Sequence, residues 1–172
     1  MSKSRNSRNP PSRLGGSIGN SPQPKTSGTA TITVTVEDAG LDALVAISPE
    51  NFAYTSGFVV PSQPLMRWRH AISVVTATQT AMVCVDMEET TVRSRLQGVD
   101  VRVWAEFEDN AMSMLAELLR GLGLGSGRIG LETDYLPARD MEDLKRLLPD
   151  VRWEQAQDLL NRLRMVKTAP NP

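Results

Sequence analysis

Arg67-Trp68-Arg69-His70 sets two guanidinium groups and an imidazole around one indole. A carboxylate is the natural ligand of such a group. An arginine fork grips it through charge-assisted hydrogen bonds, and the indole stacks on a cation or a planar ligand. The same four residues also fit a solvated approach to a strand, with Trp68 packed as a lid on the core, and both readings stay open. His70 is the only histidine of the chain. A Ser-His-Asp device would need it as base, and nothing near it resembles a nucleophile elbow. No His-x-x-x-His spacing and no cysteine pair offers a metal its usual ligands. Asp86, Glu88, Glu89, Glu106, Glu108 and Asp109 remain as raw material for an all-carboxylate site, but four of them stand where helix starts attract negative charge. The single cysteine, Cys84, lies in the apolar run AMVCV, where it reads as a buried thiol and not as a nucleophile. No catalytic residue and no metal ligand is assigned.

Two further stretches have the look of binding motifs. Gly125-Ser126-Gly127-Arg128-Ile129-Gly130 spells G-x-G-x-x-G. A dinucleotide fingerprint must leave a strand and open a helix, whose N-terminus holds the pyrophosphate. These glycines instead follow a helical pattern and lead into a strand, so they read as connector residues. SPENFAYTSGF (48–58) is a deliberate strand-to-helix corner. Ser48 suits a cap, Pro49 the first helical position, Glu50 the positive end and Gly57 a left-handed stop.

The elements around these residues follow from periodicity. ALVAIS (43–48), AISVVTAT (71–78), AMVCVD (81–86), DVRVWA (100–105), RIGLE (128–132) and VRWE (151–154) read as strands. The second and third are separated only by Gln79 and Thr80, a hairpin-like spacing with a poor turn pair. Helices are expected over 87–97, opened by Asp86 and Glu89 as a capping-box variant, and over 110–122, 137–148 and from Ala156 through Leu163. TATITVTV (29–36) reads as strand from its β-branched residues, although Ile32, Val36 and Ala39 also stand at helical spacing. Strands alternating with helices, plus one hairpin, predict an α/β domain. It has a mixed sheet of about six strands with helices on both faces.

The bulk properties are those of a globular chain. Of 172 residues, 40% are hydrophobic and 23% charged, enough for one core and too few for two large ones. The formal net charge of −1 gives no bias toward nucleic acid or membrane. No apolar run approaches the ~20 residues of a membrane helix. No hydrophobic stretch of signal-peptide type follows the N-terminus, so a cytoplasmic location is expected. Residues 1–28 carry five basic side chains, no acidic one, and mainly Ser, Asn, Pro and Gly. They are expected to be a disordered basic tail, for which nucleic-acid binding is the lesser reading.

GLDALVAISPENFAYTSGF (40–58) resembles the signature of the N-terminal domain of the creatinase, prolidase and aminopeptidase P group of metallohydrolases. RIGLETDYLPARDMEDLKRLLPD (128–150) is similar to that domain's later strand and helix, and LLNRLRMVKT (159–168) to the segment leading toward the catalytic half. The resemblance spans about residues 38 to 168. It implies a mixed-sheet domain, of the ribonuclease H-like type, at 29–168, with 169–172 starting a linker. Such a domain cleaves no bond. It builds a homodimer and overhangs the partner's active site, while a separate catalytic domain carries two Asp, a His and two Glu. In peptidase-type relatives these hold two divalent metal ions, and no cofactor is expected in this chain. The resemblance also implies a truncated chain or a free-standing relative, which would act as a binding or regulatory module. Relatives usually precede the Gly-x-Asp-Ala run with a long charged helix, where this chain has TATITVTV. They place an arginine just before the second strand, matching Arg69, so Arg69, Arg67, His70 and Trp68 become candidates for contact with an anionic substrate. Phe58, Val59, Val60, Leu65 and Trp68 are the apolar groups expected to be exposed at the dimer interface.

Overall fold

The computed structural model of the chain describes Ile32 and residues 35–165. The expected tail (1–28) and linker (169–172) lie outside the described residues. Six strands form one sheet: β1 (Ala43–Ala46), β2 (Ile72–Val75), β3 (Thr80–Val85), β4 (Asp100–Trp104), β5 (Arg128–Leu131) and β6 (Arg152–Gln155). Their order is β4-β3-β2-β1-β5-β6. Only β2 runs against its neighbours; the β1–β5, β3–β4 and β5–β6 pairs are parallel. β1 and β2, together with β3 and β5 beyond their first residues, are buried on both faces, so they read as continuous apolar runs without alternation, whereas the outer strands β4 and β6 keep exposed positions.

Helices cover both faces, as expected. On one, Val45, Ile72, Val83 and Ile129 meet Leu115, Leu118 and Leu119 of α4 (Ala111–Gly121) and Leu144 of α5 (Ala138–Leu147). On the other, Leu44, Ala46 and Val75 meet Leu160 and Leu163 of α6 (Gln157–Met165). Beside them, Met82 and Cys84 meet Phe52 of α2 (Pro49–Ser56) and Val92 of α3 (Glu89–Arg95). Gly130 lets this second layer approach closely: a Cβ there would stand 2.8 Å from Leu41 Cδ1 and 3.1 Å from the Ala156 Cβ.

Three local expectations are corrected. Within TATITVTV the described residues, Ile32, Thr35 and Val36, are helical, not extended, and the helix (α1) runs on to residue 38. Ile32 and Val36, four apart, are fully buried against Leu44, Ala46, Val75 and Leu160. The helical period that places both on the sheet outweighs the β-propensity of the threonines. The capping box at Asp86 does not form. Residues Asp86–Glu88 make a 3-10 turn, Asp86 Oδ1 accepts from the Met87 N–H, and Glu89 reaches forward to Arg93. The hairpin turns over 76–79, not over Gln79-Thr80. The Thr76 Oγ1 accepts from the N–H groups of Thr78 and Gln79, so a threonine side chain closes the turn without glycine.

Candidate functional site

The chain between α2 and β2, residues 57–71, carries the candidate residues, and a set of contacts to neighbouring elements fixes it. Gly57, at φ 81°, stops α2 in the left-handed conformation that its missing Cβ permits. Phe58 then packs edge-on against Phe52, with ring centroids 5.9 Å apart. The Gln63 amide nitrogen, fully enclosed, donates to Ile47 O (2.6 Å) and Ala71 O (3.0 Å), tying the loop to the ends of β1 and β2. The buried Glu88 carboxylate accepts from the Ser62 N–H at 3.0 Å.

The four residues of the cationic cluster go separate ways. Arg69 donates from Nε to Glu106 at 2.7 Å in a pair largely enclosed by protein. This bond holds the Glu106 carboxyl below its ordinary range and raises the Arg69 guanidinium further. His70 is buried, with Nε2 2.9 Å from Asp140 of α5, and its carbonyl accepts from the Trp104 indole N–H. Arg67 lies over the Tyr135 ring at 5.4 Å, within cation–π range. Trp68 does not lid the core: it is 63% exposed. The sequence cluster is therefore not a single cationic pocket. Arg67 and Trp68 face solvent, and Arg69 and His70 fasten them down.

The expected interface residues divide as well. Val59, Leu65 and Trp68 are exposed, Leu65 to 83%. Val60 is buried and Phe58 partly so, both packed into the core beside Met82 and Val92. Val60 therefore contributes no exposed apolar group. Sequence reasoning missed two others, Phe107 at 92% and Met87 at 58% exposure. They lie beyond the carboxyl ends of β4 and β3, and each is flanked by residues holding the loop, Glu106 and Glu88. The signal was available: each is an apolar residue set among acids, in Glu106-Phe107-Glu108 and Asp86-Met87-Glu88.

The strand-to-helix corner has the caps its sequence predicts. Ser48 Oγ accepts from the Asn51 N–H, and Pro49 opens α2. What the sequence did not reveal is the corner's partner. Glu132, fully buried after β5, accepts from the N–H groups of Ile47 and Ser48 and from the Asn51 side-chain amide. The donors that a strand-to-helix corner often turns on a ligand are turned inward on the chain's own carboxylate.

Among the described residues, no three His, Cys, Asp or Glu side chains converge as a metal ion would require. Glu106 is engaged by Arg69, Glu88 by Ser62 and Glu89 by Arg93. Cys84 is buried, and desolvation pushes its thiol up to about 12. The G-x-G-x-x-G letters join the end of α4 to β5 and open no helix. No described helix is long and apolar enough to cross a membrane.

Residues 30–166 match the Creatinase/Prolidase N-terminal domain family. The chain belongs to that family. None of the curated proteins matches the chain, but solved structures of creatinase/prolidase N-terminal domains do. One is the N-terminal domain of a cytoplasmic peptidase from Mycobacterium tuberculosis, at 17% identity and TM-score 0.66, covering 81% of this chain and 100% of that one. A proline dipeptidase structure from Streptococcus pneumoniae is 21% identical at TM-score 0.67, covering 83% of this chain and 100% of that one. A dipeptidase from Pyrococcus horikoshii gives the same identity and score, but the match covers 83% of this chain and only 37% of that one. The creatinase/prolidase N-terminal domain thus spans about a third of that longer dipeptidase chain, and at these identities the likeness is one of fold. Its mixed six-stranded sheet is the architecture that the sequence predicted.

Proposed function

We propose that this creatinase/prolidase N-terminal domain is a non-catalytic unit of a metal-dependent hydrolase of the Xaa-Pro-peptidase or creatinase type. It pairs with a second copy through the loop between α2 and β2. It also presents Arg67 and Trp68 to an anionic group of the substrate held at that copy's active site. Arg69, with its Nε on Glu106, and His70, on Asp140, set the angle at which those two side chains stand. The divalent metals belong to a separate catalytic domain, and a cytoplasmic location belongs to the same proposal.

One observation carries this reading. A loop that exposes Val59, Leu65 and Trp68 is fastened to β1, α5 and the segments after β3 and β4 by buried bonds. Exposed apolar groups on a rigid support are what a partner surface requires, because little side-chain and loop freedom is lost on association. The match to structures of peptidase N-terminal domains supports the same reading. The experiment is to assay the 172-residue chain with Mn²⁺ or Zn²⁺ against Xaa-Pro dipeptides and creatine. No turnover is expected, and metal-dependent turnover would overturn the proposal.

A further inference from the structure

The sheet changes its winding between β1 and β5. These neighbours are parallel, yet β1 continues through α2 on one face toward β2, whereas β5 continues through α5 on the other toward β6. In open α/β sheets, ligands bind in the crevice that such divergence opens at the carboxyl ends of the strands. Here the crevice holds a pocket of about 290 Å³, lined by Glu50 and Asn51 of the corner, Asp134 and Tyr135 beyond β5, and Gln157 and Arg164 of α6.

Its chemistry is the reverse of a phosphate site. The N–H groups of Ile47 and Ser48 are bonded to Glu132, and that of Asn51 to Ser48 Oγ, so the start of α2 offers an anion little. Acceptors remain. Glu50 and Asp134 are exposed carboxylates. Gln157 spends its amide nitrogen on Asn161, which leaves its carbonyl oxygen. Asn51 is fully buried, its amide nitrogen bonded to Glu132 and its Oδ1 without a partner. A buried acceptor left unpaired is costly, and a donor-bearing ligand would relieve it. Arg164 is the one cation among the lining residues.

We propose that this pocket binds a small zwitterion of the amino-acid class. Its ammonium faces Glu50, Asp134 and Asn51, and its carboxylate faces Arg164. The volume lies at the lower edge of ordinary ligand pockets, about 300–1,000 Å³, and suits a molecule of that size. The site stands independently of any pairing between copies.

The test is a backbone-amide NMR titration of the 172-residue chain with glycine, serine and leucine, and separately with ethylammonium chloride and sodium acetate. Saturable shifts are expected at Asn51, Tyr135 and Arg164 with at least one amino acid, and weaker ones with either half-ligand. The double variant Glu50→Gln, Asp134→Asn should weaken amino-acid binding about tenfold or more, the loss expected for charge-assisted hydrogen bonds. Arg164→Gln should weaken the amino acid but not ethylammonium. All three positions are exposed, and unchanged thermal unfolding verifies that the variants fold. No saturable shift with any amino acid would overturn the proposal. So would acetate binding as tightly as the amino acid, or the double variant binding like the parent.

Discussion

Asn51 donates its side-chain amide to Glu132 across 81 residues of sequence, which locks the corner after β1 to the end of β5. Glu132 is fully buried and also holds the N–H groups of Ile47 and Ser48. Removing its carboxylate orphans three donors at once. Glu132→Ala should cost roughly 3 kcal/mol or more, since each buried donor left unpaired costs about 1–3 kcal/mol. Glu132→Gln keeps the shape but turns an NH₂ toward donors, and should cost about 2 kcal/mol. Denaturant unfolding measures both; a loss near zero would mean that the corner stands without this bond.

Val36 reports on the packing of the first segment against the sheet. It is fully buried, whereas Glu37 beside it is exposed. Val36→Ala should destabilise by about 2 kcal/mol, as a core truncation does. Glu37→Ala should stay within about 0.5 kcal/mol, as surface changes do. Equal losses at the two positions would contradict the packing of α1.

The Arg69–Glu106 bond has a pH signature. Glu106 titrates below its ordinary range because Arg69 donates to its ionised form. The contribution of the pair to stability is therefore complete above the unfolded glutamate pKa, about 4.3, and disappears as pH falls through the lower folded value. A carboxyl NMR titration should place Glu106 below the ordinary glutamate value, about 4.3, and Arg69→Ala should return it upward. A Glu106 that titrates normally in the parent chain would remove the anchor from the loop.

Cys84 should be silent. With its thiol pushed up to about 12 by burial, almost none of it is thiolate at neutral pH. Iodoacetamide should fail to label the native chain and label it fully in denaturant. Fast native labelling would mean that the layer of α2 and α3 over β3 opens readily.

The sequence made some of this legible and hid the rest, for reasons that differ residue by residue. Ser48, Pro49 and Gly57 declared the corner because capping is local, with donor and acceptor within a few positions. The buried strands declared themselves as short apolar runs and α4 by its helical period. TATITVTV misled because its β-branched residues favour strand locally, while burial of Ile32 and Val36 on the sheet decides for helix. The Arg67–His70 cluster was visible as charge around an indole. Its division into exposed and fastened residues was not, because it depends on Glu106 and Asp140, which lie 37 and 70 residues away. Val60 and Leu65 look alike in a loop without periodicity; only the fold sends one inward and the other out.

The account rests on the loop between α2 and β2 being a fixed surface for a second copy of the chain. Sedimentation equilibrium on the parent chain and on the double variant Leu65→Asp, Trp68→Asp tests it most directly. The parent should sediment as a dimer and the variant as a monomer with unchanged thermal unfolding, since both side chains are exposed. A parent chain that remains monomeric at high concentration, or a variant that stays dimeric, would contradict it.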